Sequence, residues 1–372
     1  MLAELPFLDY VWRGLLVGTL AATVSLILWW IVSAWLLGRT SHLQMKWFLN
    51  SQTVLIMTVF SAGFLLVAFA DPELASGCFD RFVKAGSSLP ITRLIAAIWA
   101  CGFGFLLSQD GLRIFLSFRQ VRRLKPVLSP EPQKIFEMCR RRLGLAKEMP
   151  FYTTGEQISP FVLGFRNCKV VMPEKLLNEL SADSLRAVLC HELVHARDGD
   201  VLWLLLGRLC RRALFFHPLM ALFHHRHHMT VEKAADEESV LAAGIRPLDL
   251  QRSLLDVVSL APGSSTSLVS VSASRGFKEI KERMESLNSL EKSKVSRSLF
   301  RRILVLTVSL SIGFSAAQAR VTIGGRDGNM SRGLMCSQWN HEKWMESWLN
   351  QKPDSNRCEN DKQSIPTNKG MR

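Results

Sequence analysis

A mostly α integral membrane protein, with four transmembrane helices and an α+β cytoplasmic domain between spans three and four, is the fold this sequence predicts. Three observations predict it. A mean hydropathy of +0.13 coexists with a formal net charge of +14, so apolar and charged residues must be segregated along the chain. Four apolar runs approach or exceed the length needed to cross a hydrocarbon core of about 30 Å. Basic residues flank those runs asymmetrically.

Residues 11–37, VWRGLLVGTLAATVSLILWWIVSAWLL, carry one charge, Arg13, and residues 47–70, WFLNSQTVLIMTVFSAGFLLVAFA, carry none. Residues 94–108 form a third run that continues through QDGLR into IFLSF, and residues 303–319 form a fourth. Buried helices of a globular core are the alternative, chiefly for the last two. The loop after the first run holds Arg39 and Lys46, whereas the next loop sets Asp71, Glu73 and Asp80 against Arg81 and Lys84. Arg119, Arg122, Arg123 and Lys125 follow the third run; Lys292, Lys294, Arg297, Arg301 and Arg302 precede the fourth. Since cytoplasmic flanks are rich in Lys and Arg, residues 119–300 are expected inside and both termini outside.

The expected organisation is therefore three transmembrane helices in 1–118, a cytoplasmic domain in 119–300, a fourth helix in 301–319 and a short extracytoplasmic tail in 320–372. Much of the positive charge then serves topology and contact with the lipid bilayer. No reader module for nucleic acid accompanies it, so no direct nucleic-acid partner is expected. Cys139, Cys168, Cys190 and Cys210 fall inside, where thiols stay reduced; Cys78, Cys336 and Cys358 fall outside, where Cys336 with Cys358 is the easiest disulfide to expect. The fourth run also resembles an internal signal peptide, with Ala317-Gln318-Ala319 in the small-x-small form of a cleavage site, although a plain helix is preferred.

Within the domain, QKIFEMCRRRLGL (133–145) reads as an amphipathic helix ending at Gly144. FYTT, FVLGF and CKVVMP read as short strands, the last stopped by Pro173. The segment VLWLLLGRLCRRALFFHPLMALF is apolar but broken by Arg208, Arg211, Arg212 and Pro218, and fits a core, interfacial or partly inserted helix.

Residues 190–200 read CHELVHARDGD. On a helix, His191 and His195 share one face a turn apart, the spacing at which a single Zn²⁺ takes two nitrogen ligands. Glu192 then stands beside the metal as a general base for a water that zinc has acidified. Ser181 as N-cap, Asp183 in the first turn and the apolar side of Leu185, Val188, Leu189 and Val194 support that helix. Two histidines on an ordinary helix are the alternative. In HHRHHMTVEKAADEESVLAAG, a helix ending at Gly244, Glu232 and Asp236 are four apart; they supply a third ligand and a carboxylate able to hold a ligand histidine by its free N–H. His224, His225, His227 and His228 compete as ligands, His228 lying on the face of Glu232, though a partly solvated polar cluster accounts for them as well. His217 is expected to be packed rather than catalytic.

The pattern H-E-x-x-H followed by E-x-x-x-D resembles the gluzincin membrane peptidases, including the HtpX/Ste24-like group. The order of spans and domain is similar to the BlaR/MecR-type antirepressor peptidases, the beta-lactam sensor-transducers of the bacterial inner membrane. SPFVLGFRNCKVVMPEKL, AVLCHELVHARDGD, FFHPL and IKERM add to the likeness. The resemblance implies a gluzincin-like zinc metallopeptidase domain with Zn²⁺ on His191, His195 and Glu232, Glu192 as base and Asp236 behind a ligand. It also implies cleavage of a protein substrate, either a cytoplasmic transcriptional repressor or a membrane protein. Sensors of this group carry an external penicillin-binding domain with S-x-x-K. Residues 320–372 contain no S-x-x-K, so beta-lactam sensing through an acylated serine is not expected. A transducer that acts by binding alone and a quality-control protease are the other functions compatible with the sequence, which leaves the oligomeric state open.

Overall fold

The computed structural model describes residues 7–37, 39–69, 90–121, 124–145, 149–156, 158–164, 167–260, 273–288 and 297–323. Residues 1–70 and 83–319 form one unit; the other, 71–82 with 320–372, contributes only the end of the last helix to the described residues. Three long helices come first: α1 (Phe7–Leu36), α2 (His42–Phe69) and α3 (Pro90–Val121). Among the described residues, Gly14–Leu36 and Ile91–Leu116 are long and apolar enough to cross a membrane. The expected second run lies in α2. The fourth lies in α11 (Arg297–Ile323), which contains the shorter apolar stretch Arg302–Gly313 and continues helical past Ala319. The loop 71–89, residues Arg122, Arg123, Lys292 and Lys294, and the tail from 324 with Cys336 and Cys358 lie outside the described residues. Cys101, Cys139, Cys190 and Cys210 are not joined in disulfides.

The domain between α3 and α11 runs β1 (Lys125–Pro126), α4 (Pro130–Arg142), β2 (Phe151–Thr154), β3 (Phe161–Leu163), β4 (Lys169–Pro173), α5 (Glu174–Glu179), α6 (Ala182–Asp198), α7 (Asp200–Ala213), α8 (Pro218–Leu241), α9 (Pro247–Leu260) and α10 (Ala273–Asn288). Its sheet has the order β1-β2-β4-β3, parallel between β2 and β4 and antiparallel elsewhere. β3 therefore stands at an edge, with Val162 opposite Val170, and packs beside α6.

Local chemistry sets the boundaries. Proline begins α4, three arginines in its last turn meet the negative end of the helix, and Gly144 at φ +70° turns the chain away. The Ser181 side chain accepts the Ser184 N–H at 3.2 Å and starts α6, which Gly199 ends at φ +68°. The same glycine begins α7, so α6 and α7 are joined by a single left-handed residue. Proline at its first turn lets α8 begin at Pro218, six residues before His224, where the sequence placed its start.

Two cores result. One packs Phe136, Phe151, Met172, Leu189 and Leu193, the two phenylalanines stacking with centroids 4.7 Å apart. The other joins Leu26 and Trp29 of α1, Phe48 and Ile56 of α2, Cys210 of α7 and Phe223 of α8. Trp29 meets Phe223 edge-on at 5.0 Å. Trp99 Nε1 of α3 donates to the Ala213 carbonyl at 2.9 Å, and Arg212 clasps Asp110 of α3 through two bonds of 2.8 and 3.0 Å. The apolar segment after the histidine helix is thus a pair of helices with one face in this shared core, while Leu202 and Leu205 stay 40% exposed. Gly207 allows their close approach, since a Cβ there would sit 3.0 Å from His227 Nδ1.

Ser181→Ala removes the only side-chain cap of α6 and is expected to cost about 1 kcal/mol. A lowered melting midpoint in detergent checks it, and a wild-type midpoint would show that the cap is dispensable.

Candidate metal centre

Helix α6 carries His191 and His195 one turn apart, both buried, with their rings nearly perpendicular at 87°. The two Nε2 atoms face each other at 3.1 Å. Glu232 comes in from α8, its Oε2 lying 3.5 Å from His191 Nε2 and its Oε1 3.8 Å from His195 Nε2. One donor atom from each residue lies within 4.8 Å of the others, the one such grouping among the described residues. Three ligands about 2.0–2.1 Å from one tetrahedral ion stand roughly 3.3–3.4 Å apart, so these separations fit a Zn²⁺ donor set. Two imidazoles and one carboxylate are also a chemistry zinc prefers.

Each imidazole is held from behind. His195 Nδ1 donates to Asp200 Oδ2 at 2.7 Å, which fixes the tautomer and leaves the Nε2 lone pair toward Glu232. His191 Nδ1 lies 3.1 Å from Asp236 Oδ1, within ion-pair distance but not aligned for a directed hydrogen bond. Asp236 is fully buried and spends both oxygens on Arg283 of α10, at 2.8 and 2.7 Å. Arg283 Nη1 reaches Glu232 Oε2 at 3.0 Å, and its Nη2 stands 3.3 Å from His191 Nε2. The guanidinium therefore borders the same space as the three donors.

The electrostatics follow from burying charge. Burial and Arg283 both oppose the imidazolium of His191, but Asp236 and Glu232 outweigh them and lift its pKa to about 9. That pull marks a pocket favourable to positive charge on this ring. Burial pushes the Glu192 carboxyl above the usual carboxylate range, against the attraction of His195 and His191. Burial acts the same way on Glu232 and Asp236, yet Arg283 overrides it, holding Glu232 well below its ordinary value and Asp236 at about 2.

Of the residues expected at the site, His191, His195 and Glu232 form the donor group, Asp236 stands behind His191, and Glu192 follows His191 on α6 and is buried. His228 is not among the three donors, and both its ring nitrogens are buried without a hydrogen bond. His227 bonds through Nε2 to Asn50 Oδ1 of α2 at 2.7 Å, and burial depresses its pKa to about 4. His217 bonds to Thr23 of α1 at 3.1 Å. Asp200, Lys46 and Arg283 were missed as functional residues. Asp200 had a signal, because Asp236 can serve only one of two histidines and the second needs a carboxylate of its own. Lys46, a basic residue of the flank after the first run, is buried at 3% exposure and paired with Asp198 and Asp200.

Residues 10–287 match the family described as BlaR1 peptidase M56. The chain is also 24% identical over 209 residues to the regulatory protein BlaR1 of Bacillus licheniformis, a stretch covering 55% of this chain and 34% of that protein. The chain thus spans about a third of the length of the curated relative it matches.

His191→Ala and Glu232→Ala are each expected to abolish stoichiometric zinc, read by elemental analysis of the purified protein, while Asp236→Asn weakens zinc affinity by about 10- to 100-fold. Retention of zinc by Glu232→Ala together with its loss in His228→Ala would transfer the third ligand to His228.

Proposed function

The chain belongs to the BlaR1 peptidase M56 family, and from that premise we propose that it is a membrane-embedded, zinc-dependent endopeptidase acting in signal transduction or antirepressor regulation. The observation that carries this reading is the convergence of His191, His195 and Glu232 beside a buried Glu192. A metal site that only braced the fold would have no use for a further buried carboxylate next in sequence to a ligand histidine. Zn²⁺ bound there would lower the pKa of a coordinated water to roughly 7 and polarise the scissile carbonyl.

The chain's own residues account for the other requirements. Glu192 takes a proton from the attacking water onto a carboxylate oxygen and returns it to the departing amide nitrogen. Asp200 and Asp236 keep the imidazoles aimed while this happens. An extended substrate segment adds to the edge of β3, beside α6, so that its peptide bond crosses the pocket. The substrate is a protein, either a cytoplasmic transcriptional repressor or a membrane protein; the regulatory role named for the Bacillus licheniformis relative favours the repressor.

We place the protein in the bacterial inner membrane, with four spans, the peptidase domain in the cytoplasm and both termini outside. Exposed apolar side chains support it: Trp30 and Ile31 on α1, Phe105 and Phe115 on α3, and Val305 and Leu306 on α11. The start of α2 is ion-paired to the domain through Lys46, which supports the domain lying on the side where the second span begins.

Glu192→Ala is expected to keep zinc near one per chain but to lower peptidase activity on casein or on the chain itself by about two to four orders of magnitude. A variant that cleaves normally would remove the enzyme and leave a transducer that works by binding. Reporter fusions after Lys84, Lys125 and Arg326 are expected to read outside, inside, outside. A cytoplasmic signal at Arg326 would overturn the fourth span.

A further inference from the structure

Lys46 sits in the second turn of α2, one of the long apolar-rich helices, yet its ammonium is spent entirely on the catalytic domain. Nζ lies 2.8 Å from Asp198 Oδ2, 2.7 Å from Asp200 Oδ1 and 2.9 Å from Asp200 Oδ2. The same Asp200 Oδ2 accepts His195 Nδ1–H at 2.7 Å. Asp200 is 1% exposed, and a carboxylate so buried is tolerated only when a cation and donors face it. Lys46 is that cation, and by touching both oxygens it sets the plane in which Oδ2 meets the imidazole.

Two further contacts keep α2 in register with the second ligand-bearing helix. Glu237, next to Asp236 on α8, accepts the His42 and Leu43 backbone N–H groups at 2.7 and 3.3 Å, capping the start of α2 with a negative charge. Asn50, one turn beyond Lys46, bonds to His227 on the same α8. The first turns of α2 thus grip both helices that carry metal donors.

We propose that Lys46 is a positioning residue for the metal: acting through Asp200, it orients His195 and makes zinc affinity depend on the placement of α2. This rests on the zinc-peptidase reading above and names what regulates that same site. A displacement of α2 that withdraws the ammonium leaves Asp200 free to turn from His195, and the donor position at His195 is lost.

The test is a double-mutant cycle on the full-length protein in detergent, reading zinc affinity by competition with a chromophoric chelator and melting temperature in parallel. Lys46→Met is expected to weaken zinc about tenfold, and Asp200→Asn by about 10- to 100-fold. In the Asp200→Asn background Lys46→Met should change zinc affinity by less than about twofold, because its route to the metal is already cut. Lys46→Gln, which keeps a polar end without the charge, repeats the cycle should the methionine variant not melt cooperatively. Equal losses in both backgrounds, or no loss at all, would overturn the proposal and leave Lys46 a mere tether. Wild type and Glu192→Ala that both fail to bind zinc would instead sink the metal-site reading itself, a result the cycle cannot produce when wild type binds.

Discussion

Glu192, Asp200, Glu232 and Asp236 crowd around two imidazoles at the junction of α6, α7 and α8, where little water reaches them. Burying an unpaired carboxylate costs several kcal/mol, more than neighbouring apolar contacts return. The positions of the two outlying helices answer that cost. Arg283 brings α10 against Glu232 and Asp236, and Lys46 brings α2 against Asp198 and Asp200. The donors that would bind a divalent ion face one another, with Lys46 acting through Asp200 on the Nδ1 side of His195 and Arg283 against Glu232. The fold around the site is in this sense an arrangement for keeping negative charge dry.

Much of this was legible in the sequence wherever the determinant was local. Ser181, Gly144 and Gly244 punctuate helices by capping and left-handed turns, and FYTT and KVVMP are strands because they are short runs rich in aromatic or β-branched residues between turn signals. The spacing of His191, Glu192 and His195, and that of Glu232 and Asp236, follows directly from helical periodicity. What escaped was the long-range pairing of charge. Lys46 and Asp200 are 154 residues apart, and nothing in the neighbourhood of either announces the other. Lys46 moreover looked like a topology signal, since a lysine after an apolar run has the same appearance whether it is solvated or buried. Arg283 stands within IKERM, yet an arginine on an amphipathic helix carries no mark of which face it serves.

The break between α7 and α8 was legible as a proline, but the environment of both helices was not. A segment that is apolar, interrupted by arginines and too short to span a bilayer suits several settings equally. The structure resolves them through partners: Arg212 has Asp110, Trp99 has the Ala213 carbonyl, and Gly207 yields room for His227. Asp110 and Trp99 belong to α3, far from the segment in sequence, so no window around it could have contained the answer.

The shared core has a practical corollary. Residues 119–300 look like a module that could be excised, with a sheet, a helical layer and an apolar centre of their own. Cutting the chain before β1 would nevertheless strip Leu26, Trp29, Phe48 and Ile56 from Cys210, Leu214 and Phe223, orphan Arg212, and leave Asp198 and Asp200 without their ammonium. A freestanding fragment would present a greasy flank and an uncompensated anionic pocket at once. The domain between α3 and α11 is therefore not a passenger tethered to the long helices; α1 and α2 are part of its interior.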